Sequence, residues 1–291
     1  MVRITRREGR APAVVAGEAA AAAAEVEAAM TPHDPQSAAF FDIDNTVVRG
    51  ASVFHLAMGL ASRKFFTAGD VATFAWQQVK FRVVGQEDLA DMASAVDAAL
   101  SFVAGHRVVE VEAISEEIFD ERISDKLYEG TLALARTHLE AGQRVWLVSA
   151  APVELASLIA RRIGLTGALG TVSEVEAGVY TGRLVGTPLH GPAKAEAVRA
   201  LADREGLDLE RCAAYSDSAN DIPMLSLVGR PVAVNPDSRL RRHARAMGWE
   251  VHDYRAGRKA AKVGVPTALA VGIAAGIAAG VVTEQRRRHA S

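Results

Sequence analysis

The chain is poor in the features that most quickly betray a function. It has a single cysteine, Cys212, in 291 residues. That excludes a disulfide framework and suits a reducing compartment, so the main domain is expected in the cytosol. The net charge of −2 leaves no excess of positive charge for nucleic acid, which is not expected as a partner. The start lacks an uninterrupted apolar stretch: Glu18, Glu25 and Glu27 break up the alanine-rich run, which argues against a secretory signal. Residues 1–37 therefore read as a disordered segment with at most a short exposed helix, closed off by Pro32 and Pro35.

One further absence points the other way. Residues 263–282 carry no charge over 20 positions, just the length needed to cross a bilayer core of about 30 Å. Arg258, Lys259 and Lys262 precede this stretch and Arg286, Arg287 and Arg288 follow it. With basic residues on both sides, the flanks assign no orientation. Only eight of its residues are Val, Ile or Leu, so insertion would be marginal. Gly272, Gly276 and Gly280 recur every fourth residue and form a small-residue face suited to homodimer contact. The expectation is a transmembrane or membrane-associated helix.

Between the ends, residues 38–41 read as a short buried strand. From 51 to 128 apolar residues fall at three- and four-residue spacing, the mark of helices. Then helices near 130–141, 152–163 and 192–205 alternate with strands at 144–149, 212–217 and 230–235. Glycine-punctuated alternation over 175–186 predicts a β-hairpin. Strand–helix alternation implies an α/β fold with a Rossmann-like parallel sheet, and ligands of such sheets sit beyond the carboxyl ends of the strands.

Those ends are where the chemistry gathers. FFDIDNT places Asp42 and Asp44 just past the first strand, with Thr46 beyond. LVSA ends the second strand at Ser149, GPAK starts a helix with Lys194, and YSDSAND supplies Asp217 and Asp221. Any one of these could be an ordinary turn or helix-capping residue. Together they put several carboxylates at one sheet edge, where like charges repel unless something cationic joins them. A hard divalent ion fits, and Mg²⁺ best, since it is usually held by one or two carboxylates plus waters and phosphate oxygens. His55, His106, His138 and His190 show no paired metal-ligand spacing.

These four motifs, in this order, resemble the haloacid dehalogenase superfamily, in the branch that contains phosphoserine phosphatases. The resemblance covers about residues 38–253. It implies a catalytic core at 38–50 and 129–254, with 51–128 as a helical cap. It also implies a Mg²⁺-dependent phosphatase acting on a small or amphipathic phosphate monoester. Asp42 would be the nucleophile and form an aspartyl-phosphate. Asp44 would be the general acid and base, and Ser149 and Lys194 would hold the phosphoryl group. Asp42, the Asp44 carbonyl and Asp217 would be the metal ligands, with Asp221 and Thr46 in support. Where the phosphoserine enzymes carry an amine-binding glutamate, this sequence has Ala51, so the resemblance carries phosphoryl chemistry without phosphoserine specificity. The competing reading is a membrane-tethered regulatory protein of the same fold that binds a phosphorylated ligand without turnover.

Overall fold

The structure, a computed structural model, describes residues 11–24, 34–63 and 104–255. Its centre is a six-stranded sheet, parallel throughout. The strands are β1 (Ala38–Asp42), β2 (Arg144–Pro152), β3 (Gly167–Thr171), β6 (Ala213–Ser216), β7 (Arg230–Val234) and β8 (Glu250–His252). Their order is β3-β2-β1-β6-β7-β8. All five residues of β1 are buried, as a central strand covered by helices on both faces requires. Phe40, Phe41, Trp146, Leu147 and Tyr215 are fully buried around it. Each contributes about 1.5–3 kcal/mol by leaving water.

The helices are α1 (Pro12–Ala23), α2 (Ser52–Ser62), α3 (Val108–Ile118), α4 (Glu129–Glu140), α5 (Val153–Arg162), α6 (Pro192–Glu205), α7 (Ile222–Leu225) and α8 (Ser238–Met247). The predicted hairpin is present as β4 (Ser173–Glu176) and β5 (Val179–Leu184), antiparallel to each other. α8 shows how its sequence makes it: Leu240 and Ala244 are buried, Asp237 caps the start by accepting from the Leu240 amide (2.7 Å), and Gly248 ends it at φ +72°.

Three features differ from the sequence reading. Residues 12–23 form a helix that is packed rather than exposed: Ala16, Ala19 and Ala20 are almost wholly buried. A face of alanines and Gly17 gives no amphipathic signal, yet it lets two helices approach closely. β3 and β8 went unread, β3 because GALGT is rich in residues with little strand preference and β8 because it is only three residues long. Residues 219–225 form a 3₁₀ turn followed by a single helical turn, α7, although NDIPMLSLV (220–228) reads in the sequence as one helix.

The segment expected to form a cap, 51–128, is described at its two ends. Val48 bridges Leu127, the Arg49 amide donates to the Lys126 carbonyl (2.8 Å), and the Tyr128 amide donates to the Val47 carbonyl (2.8 Å). The chain thus leaves and re-enters the core through one paired ladder. α2 packs on α3 and on the turn after it. A Cβ at Gly59 would lie 2.5 Å from Ile118 Cγ1, so only glycine fits there.

Residues 253–291 form a second compact unit, of which 253–255 are described; Arg255 pairs with Asp253 at 3.0 Å. The expected membrane segment 263–282, its glycine face, and cap residues 64–103 lie outside the described residues. Among the described residues no helix is long and apolar enough to cross a membrane.

Candidate active site

The sheet brings the predicted residues to one edge. Asp42 is the last residue of β1, and Asp217 directly follows β6, the neighbouring strand. Ser149 lies towards the end of β2, on the other side of β1, and its Oγ accepts from the Ala151 amide at 3.1 Å. Gly191, at φ +54°, turns the chain into α6, whose first turn carries Lys194.

The centre is a buried charge triangle. Lys194 Nζ donates to Asp42 Oδ1 at 2.6 Å and to Asp221 Oδ2 at 2.8 Å. Relative exposures are 4% for Lys194, 5% for Asp42 and 2% for Asp221. Ser216 Oγ adds a third contact, donating to Asp221 Oδ2 at 2.7 Å. Asp221 therefore orients Lys194 and is itself fixed by Ser216. A cation so deeply buried persists because it is paired and hydrogen-bonded.

One lysine does not balance the site. Burial pushes the Asp217 carboxyl up to about 9, with the nearby Asp42 and Asp221 charges adding to the rise. Burial also raises Asp42 to about 7; Lys194 opposes the shift, while Asp221 and Asp44 reinforce it. Burial disfavours charge on Lys194, but Asp221 and Asp42 outweigh it and hold the ammonium above its ordinary range. Burial raises Asp44 as well, against a hydrogen bond from the Ser52 amide to its Oδ1 (2.8 Å). Four acids facing one cation form a hard, oxygen-rich donor set still short of positive charge. This fits Mg²⁺. Among the described residues no three acidic or histidine side chains are grouped tightly enough to hold a metal unaided. Mg²⁺ asks less, because waters and phosphate oxygens complete its shell.

Thr46 is fully buried, and its Oγ1 finds no partner among the described residues; its carbonyl accepts from Thr131 Oγ1 at 2.7 Å. It shapes the loop and, among the described residues, makes no hydrogen bond to the charge triangle. His138 lies away from the triangle, bonded to the Tyr215 hydroxyl through Nε2 at 2.7 Å.

Two residues with no assigned part in the sequence reading hold the edge together. Asn235 sits at φ +50°, and its Nδ2 donates to the carbonyl of Asn45 (3.0 Å), the residue directly after Asp44. Asp237 ties down the other acidic loop: its amide donates to the Asp217 carbonyl (2.7 Å) and its Oδ2 accepts from the Ala219 amide (2.8 Å). The signal was available. Asn and Asp flank Pro236 just past a strand, at the same edge.

The profile of the haloacid dehalogenase-like hydrolases matches residues 39–226. The chain is 58% identical over 241 residues to "Phosphoserine phosphatase SerB1" of Mycobacterium tuberculosis, covering 83% of this chain and 78% of the relative. A solved structure of a protein of unknown function from Bordetella pertussis superposes with TM-score 0.67 at 33% identity, over 75% of this chain and 99% of that one. A phosphoserine phosphatase solved as a phospho-aspartyl intermediate analogue superposes with TM-score 0.52 at 20% identity, over 75% of this chain and 93% of that one, a likeness of fold alone. Together with the motif geometry, these matches place the chain in the haloacid dehalogenase-like hydrolase family.

Proposed function

We propose that this chain is a Mg²⁺-dependent phosphomonoester hydrolase working through an aspartyl-phosphate at Asp42. The observation that carries the reading is Lys194, buried between Asp42 and Asp221 at the carboxyl end of β1. Asp42 would attack phosphorus as the substrate P–O bond breaks, and Asp44 would give its proton to the departing oxygen. The raised affinity of Asp44 for its proton favours that acid role. Asp44 would then take a proton from water as that water attacks phosphorus, releasing phosphate and restoring Asp42. Lys194 and Ser149 would hold phosphoryl oxygens throughout, so the protein's share is mainly positioning and electrostatics. Asp42, the Asp44 carbonyl and Asp217 would hold Mg²⁺, whose charge offsets the repulsion between carboxylate and phosphate when it is bound.

The substrate would be a small or amphipathic phosphate monoester selected by the cap. The name of the mycobacterial relative makes phosphoserine the first to try, while Ala51 removes the carboxylate expected to bind its amine. Residues 263–282 would attach the enzyme to a membrane with the catalytic unit in the cytosol. The test is phosphate release by the full chain, with and without Mg²⁺, from an aryl phosphate, phosphoserine, sugar phosphates, nucleoside monophosphates and lysophosphatidate. Metal-dependent turnover of one class, abolished in Asp44→Asn, supports the reading. Mg²⁺ binding by a folded chain that turns over none of them favours the regulatory alternative.

A further inference from the structure

The α1 helix lies before residue 39, where the family match begins. Its contacts with α6 run in order. Gly17 faces Glu196 and Ala197, while the carbonyls of Ala21 and Ala24 accept hydrogen bonds from the Arg204 guanidinium. The two helices are therefore parallel, and the early part of α1 lies against the end of α6 that carries Lys194. There is no slack at that end. A Cβ built on Gly17 would sit 2.7 Å from the Ala197 nitrogen, the Glu196 carbonyl carbon and Glu196 Cβ. Gly186, at φ +90°, meets the same helix: a Cβ there would sit 2.7 Å from the Ala16 nitrogen. Gly186 opens the turn that leads through Gly191 into α6, so α1 braces both the loop and the helix behind Lys194.

We propose that α1 is a positioning element of the catalytic site, holding Lys194 in place through the Gly17 contact with Glu196 and Ala197. The proposal rests on the reading of Lys194 as a phosphate-holding residue. Glu196 and Ala197 lie within one helical turn of Lys194, so backbone displacement there is passed on to an ammonium that must meet two carboxylates at once. Arg204 closes the far end of the same interface, about two turns further along α6. It serves as the internal control, since it holds α1 on α6 without touching the Lys194 end.

The test compares Gly17→Ala with Arg204→Ala in the full chain, with three readouts below each variant's thermal midpoint. These are inhibition by orthovanadate in Mg²⁺, kcat and KM on the best substrate, and the rate at which trinitrobenzenesulfonate modifies Lys194, mapped by mass spectrometry with the half-buried Lys126 as the reference. A displacement of a few tenths of an ångström should weaken orthovanadate inhibition and lower kcat/KM by about tenfold in Gly17→Ala, and speed Lys194 labelling. Arg204→Ala should lower the midpoint at least as much and leave all three readouts within about twofold. If Gly17→Ala does not fold, Ala16→Gly, which loosens the same end without adding an atom, replaces it with the same expectations. A lowered midpoint with unchanged inhibition and labelling would overturn the proposal, because α1 would then be packing alone. The labelling arm needs no turnover. A wild type that hydrolyses nothing would count against the phosphatase reading and still leave the bracing readable.

Discussion

The carboxyl edge of the sheet and the root of the cap meet at Asp44, yet they are held by different means. At the edge, side chains hold side chains: Lys194 to Asp42 and Asp221, and Ser216 to Asp221, all buried. At the root, backbone carries the contacts: Val48 with Leu127, Arg49 with Lys126, Tyr128 with Val47. Even the Arg49 side chain spends itself on the carbonyls of Asp125 and Lys126. The first construction depends on the identity of each residue; the second depends on chain path and tolerates exchange of most side chains. Under the proposed function, this division would fix the chemistry at the sheet edge and leave substrate selection to the segment that joins there.

The sharpest break of this contrast comes at Lys194. Lys194→Met removes the one cation from the triangle and leaves Asp42 and Asp221 unpaired in a buried site. Turnover should fall by at least about 10²-fold. Stability should fall by about 3 kcal/mol, less whatever protonation of the acids recovers, read from denaturant midpoints. Asn235→Ala strikes the edge indirectly. It loses the bond to the Asn45 carbonyl and forces alanine into the left-handed region, which should cost about 1–2 kcal/mol. Turnover should fall far less than in Lys194→Met.

The acids of the edge also predict a pH effect. Asp42 and Asp217 have folded-state affinities for protons raised to about 7 and about 9 from 3.8. Their contribution to stability is therefore full below pH 3.8 and is lost as pH rises through those values. The metal-free chain should lose thermal stability between pH 6 and 9, and Mg²⁺ should raise the midpoint increasingly over the same range. Asp217→Asn should flatten both trends; thermal scans in EDTA or Mg²⁺ decide it.

The smallest effect belongs to the cap. Arg63 forks onto Glu117 and Glu121, both exposed, at 3.0 and 2.8 Å. Arg63→Ala should change stability by no more than about 1 kcal/mol and leave turnover unaltered. A large loss of activity there would mean the cap root is as exacting as the sheet edge.

What could be read in the sequence follows the same division. Polar residues just past apolar strands or at a helix start stand out, so Asp42, Asp44, Ser149, Lys194, Asp217 and Asp221 were all visible, as were the strands that carry most of them. The supports were only half visible. Asn235 and Asp237 stand in a legible turn past β7, but their partners are backbone groups on distant loops, which no local pattern encodes. α1 is legible only as alanines until Gly17 is seen against α6, and β3 gains its strand from neighbours rather than from its own residues. Periodicity reports one face meeting water; an element packed through small residues on close neighbours leaves little trace of it.

The central claim is that Asp42 takes the phosphoryl group. The most direct measurement is to quench the full chain in acid during reaction with an aryl phosphate and Mg²⁺, reduce it with borohydride, and map residue 42 by mass spectrometry. The account predicts homoserine at position 42, formed from the aspartyl-phosphate, in the wild type and none in Asp42→Asn. Phosphate released at full rate with position 42 unlabelled, or the label on another residue, would contradict it.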